Sequence, residues 1–385
     1  MTAIFSRPAL ARQMAQQLIN PGVLSEGLRS GLFISGLRRT GKTTYLRNDF
    51  IPALEELGAV VVYVDLWTDT RVNPAELVRE ALRKALHELQ TPGSSLLRRL
   101  ERVSGVDVGI LSFKFGFKLD KIGEPGGVPL ADVITELVDQ SRRDVVLIVD
   151  EVQQAITTDE GNQLLLALKA ARDAVNPRPD TPGHFLFVGT GSHRAMVNEL
   201  TARRTQAFNG ATSISYPVLD ADYVEYLLGR LRSDGVGKLP SAPVALKAFR
   251  MLGNRPEEMI KALRQLQVNV PPDGDPDAYL PVIAGTLRSV AADIELAKVE
   301  QLGSVANAIF ARIAMTDGDA KGLFSADAAA EYGRAVGREV KIEEIQPVIN
   351  DLMDANIIMR RGHGLYGVTD PFVQESWREK QQILC

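Results

Sequence analysis

A short apolar run, Gly31-Leu-Phe-Ile-Ser35, leads into Gly36-Leu-Arg-Arg-Thr-Gly41-Lys42-Thr43-Thr44, and a helical stretch follows from 42 to 57. The pattern is G-x-x-x-x-G-K-T between a strand and a helix, and it constrains the fold more than any other part of the chain. Glycines let a backbone wrap closely round an anion. The N–H groups of such a loop, and of the first turn of the helix after it, then point at phosphate oxygens. Gly36, Arg38, Arg39, Thr40, Gly41, Lys42, Thr43 and Thr44 are therefore the expected phosphate-side contacts of a nucleotide. Lys42 adds a mobile cation at the β- and γ-phosphates, and Thr43 offers a hydroxyl to Mg2+.

The net charge of −4 provides no global basic field to attract nucleic acid. With 45% hydrophobic and 24% charged residues the chain reads as an ordinary globular protein, long enough for two or three domains. Its one cysteine, Cys385, allows no intrachain disulfide, which fits a reducing compartment. Met1–Arg7 has no apolar core of signal-peptide length, and no stretch of about 18 apolar residues occurs. A cytoplasmic chain with no membrane span is expected.

Beyond the loop, strands and helices alternate. Helical spacing marks 8–20 through Leu10, Met14, Leu18 and Ile19, and Pro52 should end or bend the helix 42–57. Val60–Val64 and Asp144–Val149 are continuous apolar runs of the kind buried on both faces of a parallel sheet. His184–Val188 and Thr212–Tyr216 supply two more strands, with helices at 73–90, 129–141, 160–175 and 193–202 between them. Residues 111–119 alternate strictly and predict a half-buried strand, part of an inserted hairpin at about 104–120. From 220 to 300 the pattern is helical throughout, at 220–233, 241–251, 256–268 and 278–300. After 303 it reads helix (304–314), helix (325–336), helix (345–355), then two short strands around Arg361-Gly-His-Gly364, a winged-helix order. The expected fold is α/β: a P-loop parallel-sheet core over 1–218, a helical lid over 219–300 and a C-terminal winged helix over 301–385.

Asp150 and Glu151 close the run Val145-Val-Leu-Ile-Val149. Carboxylates at the carboxyl end of a buried parallel strand stand in the crevice where open sheets bind ligands. Asp150 is placed to hold Mg2+, mostly through water, and Glu151 to orient and polarise an attacking water. Thr190 and Ser192 follow the fourth strand and reach the γ-phosphate or the water, or else form a plain Gly-Ser turn. Arg255, in Gly253-Asn-Arg-Pro-Glu-Glu258, opens a lid helix and leans onto bound phosphate, or is a surface arginine at a helix start. Arg203 and Arg204 are either a solvated pair or the source of an arginine supplied to a neighbouring subunit, with Arg204 the site candidate. Asp65 reads as a strand-end acid near the metal or as an ordinary one.

Taken together, Gly36–Thr43, Asp150-Glu151, Gly253-Asn-Arg-Pro-Glu257 and Leu365-Tyr-Gly-Val-Thr-Asp-Pro-Phe372 resemble the AAA+/STAND P-loop ATPases. Within that group the chain is most similar to the archaeal-type branch, near the origin-recognition ATPases, and the resemblance covers nearly the whole chain. It implies an ATPase using ATP/ADP and Mg2+, with Lys42 and Thr43 at phosphate and metal, and Asp150 and Glu151 at metal and water. It also implies Thr190 as first sensor and Arg255 as second. In that group a Gly-Arg pair near the N-terminus frames adenine; the corresponding stretch here is Phe5-Ser-Arg7-Pro8. Adenine in preference to guanine also follows from the resemblance, and no Asn-Lys-x-Asp pattern appears near the last strands of the sheet.

Three functional readings follow. The first is a molecular switch coupling nucleotide state to lid and winged helix. The second is a DNA-associated loader or a transposition or replication accessory ATPase. The third is a signalling or defence scaffold that assembles in its ATP state. Charge weighs against the second: from 303 to 385 there are nine basic and twelve acidic residues, net −3, and Ile342–Asp354 carries four acids and no base. A helix in a major groove lies between phosphates and needs basic contacts. Packing on its own core, on a protein partner or on a second copy is expected instead, with Arg360 and Arg361 in the wing as the possible DNA contacts. Arg79, Arg83, Lys84, Arg98, Arg99 and Arg102 form a further basic cluster, a solvated helix face or a second nucleic-acid candidate.

Overall fold

The computed structural model describes residues 4–69, 71–104, 113–117, 122–123, 126–202, 206–271, 273–362 and 364–384. Helix α1 (Pro8–Ile19) precedes strand β1 (Leu32–Ser35), and the phosphate loop then turns into helix α2. Helix α2 begins as Lys42–Tyr45, passes through a π-helical turn at Leu46–Phe50 and resumes as Ile51–Glu56. Pro52 does not end the helix: the wider turn just before it absorbs the missing N–H. Strand β2 (Val60–Asp65) is followed by α3 (Pro74–Gln90) and α4 (Ser95–Ser104), then α5 (Leu130–Ser141) and β3 (Val145–Asp150). Helix α6 (Asp159–Val175), β4 (Phe185–Gly191), α7 (Arg194–Ala202) and β5 (Thr212–Ser215) complete the layer.

The five strands pair in parallel in the order β2-β3-β4-β1-β5. Both faces are covered. On one side Phe33, Val145, Leu147, Val149 and Phe187 pack under α3, α5 and α6; on the other Ile34, Val146 and Ile148 pack under α1 and α2. Every residue of β3 is buried, so its apolar run needs no alternation. Register sets the site: Ile34 lies opposite Thr190 and Ser35 opposite Gly191, while Val149 lies opposite Gly189.

Two expectations give way here. Gly189-Thr-Gly191 continues β4 instead of turning after it. A Cβ on Gly189 would stand 2.7 Å from the Phe33 ring, so that glycine makes room for an aromatic in the core. The expected hairpin at 104–120 lies largely outside the described residues. Within it, 113–117 form no strand; Phe113, Phe115 and Phe117 still stack on one side, with centroids 6.4 and 5.7 Å apart. The Gln140 side chain takes the place of a ladder partner, accepting from Lys114 N at 3.0 Å and donating to Lys114 O at 2.6 Å.

A separate apolar cluster joins α8 (Ala221–Ser233), α9 (Ala242–Met251), α10 (Pro256–Asn269) and the first half of α11 (Pro276–Gln301). Another joins the end of α11 to α12 (Ser304–Met315), α13 (Ala326–Val336), α14 (Ile342–Asp354) and the antiparallel pair β6 (Ile358–Gly362) and β7 (Leu365–Val368). Helix α15 (Pro371–Leu384) packs back on this last unit through Val373 and Trp377; the sequence reading missed it, as it missed α4. The P-loop α/β core, helical lid and winged helix are thus all present. The winged-helix unit meets the core through His193, whose Nε2 lies 3.2 Å from Asp354 O, and Arg194, which donates to Thr369 O at 3.0 Å. Among the described residues no helix is long and apolar enough to cross a membrane.

Candidate active site

The phosphate loop is shaped by two residues in the left-handed region, Arg39 at φ 63° and Gly41 at φ 94°. Gly36 is needed for space: a Cβ there would lie 2.8 Å from Tyr216 Cβ. Thr40 Oγ1 donates to Leu37 O at 2.9 Å and pins the loop. Lys42 is 6% exposed and donates Nζ to Gly36 O at 2.8 Å and to Leu37 O at 2.9 Å, which leaves one N–H of its three. Burial lowers its pKa, against an upward pull from Glu151 and Asp150.

Asp150 is fully buried at the end of β3, and four donors hold it. Thr43 Oγ1 reaches Oδ2 at 2.7 Å and Tyr63 OH the same oxygen at 3.1 Å. The Thr190 hydroxyl and the Glu151 N–H, at 3.1 Å, reach Oδ1. Burial first, then Asp150, pushes the Tyr63 phenol pKa up, which keeps it a donor. A hydroxyl and a carboxylate in contact form a hard oxygen pair, the donor set Mg2+ accepts. Among the described residues no three His, Cys, Asp or Glu side chains gather to hold a metal by themselves. The pair therefore fits a cation that takes its remaining ligands from phosphate and water.

Glu151 sits at φ 56°, and this left-handed turn swings its side chain off the strand direction. Its Oε2 accepts from Gln153 Nε2 at 2.5 Å, Ser192 N at 3.0 Å and Ser192 Oγ at 2.8 Å. Ser192 anchors this acid, and Thr190 anchors Asp150.

A further cavity lies at Phe5-Ser-Arg7, the stretch that the resemblance sets against adenine. Beside Gly41 and Thr44 opens an apolar slot of about 370 Å3 walled by Phe5, Tyr45, Tyr216, Tyr223 and Ile260. Arg7 lies 4.8 Å from the Tyr45 ring centre and 5.0 Å from that of Tyr216, and its backbone N–H donates to Asp49 at 3.1 Å. Burial pushes the Tyr216 phenol up to about 12, against the pull of Arg7. Its visible traces in the sequence were Phe5-Ser-Arg7 and the tyrosines one helical turn apart at 223 and 226.

The other candidates are placed as follows. Arg38 stacks on Trp67 at 4.5 Å, with Nε 3.4 Å from Ser192 Oγ. Arg39 points to the lid, 3.5 Å from Glu257 and 3.8 Å from Glu258. Asp65 accepts from Trp67 N at 2.9 Å and lies 3.7 Å from Arg47; burial raises its pKa. Arg255 occupies the N-cap position of α10 ahead of Pro256 without capping it, and its guanidinium turns to the winged helix and meets Asp370 at 2.6 Å. Arg203 and Arg204 lie outside the described residues. In the basic cluster, Arg79 and Arg83 share Glu76, each at 2.8 Å, and Arg99 lies 3.2 Å from Glu55.

Comparison with solved structures agrees with this fold. A Walker-type ATPase of Pyrococcus abyssi is 18% identical over 97% of this chain and 96% of its own, with a TM-score of 0.56. The ADP form of the Aeropyrum pernix ORC2 protein is 12% identical over 100% of this chain and 96% of its own, with a TM-score of 0.53. At such identities the likeness is one of fold. No curated protein matches the chain. The family described as an ATPase domain predominantly from Archaea matches residues 19–261, across the phosphate loop, both acids, the sheet and the start of the lid. The chain belongs to that family of archaeal-type P-loop ATPases.

Proposed function

We propose that this protein binds ATP with Mg2+ between its sheet and its lid, hydrolyses it slowly, and uses the change to move lid and winged helix. The observation that carries this reading is the 2.7 Å contact between Thr43 Oγ1 and Asp150 Oδ2 beside the Lys42 ammonium. It supports reading the phosphate loop and the strand-end acid Asp150 as one site. The loop amides and Lys42 take the β- and γ-phosphates, and the slot of Phe5, Arg7, Tyr45 and Tyr216 takes the base. Thr43 and Asp150 would hold the Mg2+, which would supply charge neutralisation to the phosphates.

Glu151 receives the proton of a water as that water's oxygen bonds to the γ-phosphorus. The bond from the γ-phosphorus to the bridging oxygen breaks, leaving ADP and inorganic phosphate. Three donors from Gln153 and Ser192 hold Glu151 in the described arrangement, which supports slow turnover until that clamp opens. Arg255 reports the γ-phosphate to the lid. The separate apolar clusters support a division into core (1–218), lid (219–300) and winged helix (301–385). The setting is a cytoplasmic one, with a protein partner or a second copy as the responding surface. The acid-rich α14 supports this over a DNA-loading role.

Glu151→Gln tests the assignment. It should bind ATP within about threefold of the native affinity and lose hydrolysis by about 100-fold or more, the usual scale for a general base. Undiminished phosphate release from that variant overturns it.

A further inference from the structure

We propose that Asp370, on the winged helix, sets the preference of the site between ADP and ATP by occupying the arginine that the γ-phosphate requires. This rests on the reading above that Arg255 receives that phosphate. Arg255 and Asp370 both line a cavity of about 190 Å3 whose wall includes Leu37 and Arg38 of the phosphate loop and Ser192. The winged-helix acid therefore reaches the arginine next to the loop that holds phosphate.

The pair is close and shielded. Arg255 donates to Asp370 Oδ2 at 2.6 Å, and the two side chains are 18% and 16% exposed. The guanidinium also lies 5.8 Å from the centre of the Phe372 ring. Its Nε is buried with no hydrogen-bond partner among the described residues. A guanidinium fork matches an oxyanion that takes two parallel N–H bonds. Asp370 engages it through one oxygen, because its Oδ1 already accepts from Phe372 N at 3.1 Å and caps α15. The arginine is thus held by an acid that leaves part of its donor set unused, which a phosphate with three free oxygens can fill.

The charges decide the competition. Asp370 and a γ-phosphate are both anions, and Arg255 carries one positive charge. When ATP takes the arginine, Asp370 loses its partner in a place largely shielded from water, which is costly. ADP has no γ-phosphate and leaves the pair intact. The acid consequently penalises ATP and spares ADP, and its displacement removes one tie between the winged helix and the lid.

The test is nucleotide affinity, measured by calorimetry on the full chain with Mg·ADP and with a non-hydrolysable Mg·ATP analogue. Asp370→Asn keeps the Oδ1 cap and removes the charge; Asp370→Ser also keeps a capping oxygen. Both should bind the ATP analogue about tenfold tighter and ADP within about twofold of native. Glu375→Gln removes an equal charge nearby, from the 2.9 Å pair with Arg288, and should change neither affinity. Arg255→Ala should weaken the ATP analogue, and in that background Asp370→Asn should have no effect. An unchanged ATP affinity in both Asp370 variants overturns the inference while Arg255→Ala still reports on the arginine. An Arg255→Ala variant that binds the analogue as native does removes the underlying reading as well.

Discussion

Thr190→Val removes one hydroxyl and keeps the shape of the side chain. Thr190 is 1% exposed and donates to Asp150 Oδ1, which otherwise accepts the Glu151 N–H at 3.1 Å. Oδ2 keeps Thr43 at 2.7 Å and Tyr63 at 3.1 Å, so the carboxylate loses one of four donors and stays in place. A hydrogen bond to a charged group contributes about 1.5–3 kcal/mol, and no water replaces it at a fully buried acid. At about 1 °C per kcal/mol for a chain of 385 residues, the melting temperature should fall by about 2–4 °C. In the proposed site Thr190 supports the metal only through Asp150, and loss of such outer support should weaken metal binding by about 10- to 100-fold. Differential scanning fluorimetry without nucleotide, and a Mg2+ titration with ADP present, read the two effects. Thr190→Ser keeps a hydroxyl and should recover most of both. If the valine variant melts with the native protein and binds Mg2+ equally well, Thr190 does not support Asp150.

Arg7→Ala removes the cation stacked between Tyr45 and Tyr216 and should weaken ADP by about tenfold, at roughly 0.5–2 kcal/mol for each such contact. Pyrophosphate affinity, which uses the loop alone, should not move; equal losses for both ligands would place Arg7 outside the base slot. His193 is held neutral: burial lowers its pKa below 6.5, Nε2 faces Asp354 O, and Nδ1 faces Met196 N. The unfolded chain then takes the proton first as pH falls. The stabilisation is complete above pH 6.5 and declines below it, so between pH 7.5 and 5.5 the native protein should lose more melting temperature than His193→Gln. Parallel curves for the two would mean that His193 carries no such penalty.

The phosphate loop and Asp150-Glu151 were legible because each is a local device: a few consecutive residues at a strand end whose chemistry follows from composition. Helix limits were legible where Pro or Gly marked them, as at Pro74, Pro256 and Gly337. The positions of Thr190 and Ser192 were not, since Gly189 and Gly191 look like turn residues but serve packing inside β4. A Cβ on Gly191 would sit 2.2 Å from Gln153 Oε1, so this glycine makes room for the clamp on Glu151. Beyond Phe5–Arg7, the apolar slot proposed for the base was hidden for another reason. It is assembled from residues near 5, 45, 216, 223 and 260, and no local pattern links them. The Arg255–Asp370 pair joins residues from two structural units 115 positions apart, which single-sequence periodicity cannot register. At 113–117 the alternation marked the buried side correctly, but not that the Gln140 side chain would replace a strand.

Nucleotide binding in one cleft, between the phosphate loop and the end of β3, is measured by calorimetric titration of Mg·ADP into the native chain and into Lys42→Ala. The native protein should show one site per chain and Lys42→Ala no measurable heat of binding, with the variant's melting temperature within a few degrees of native. Equal affinity in the two proteins would place the nucleotide elsewhere.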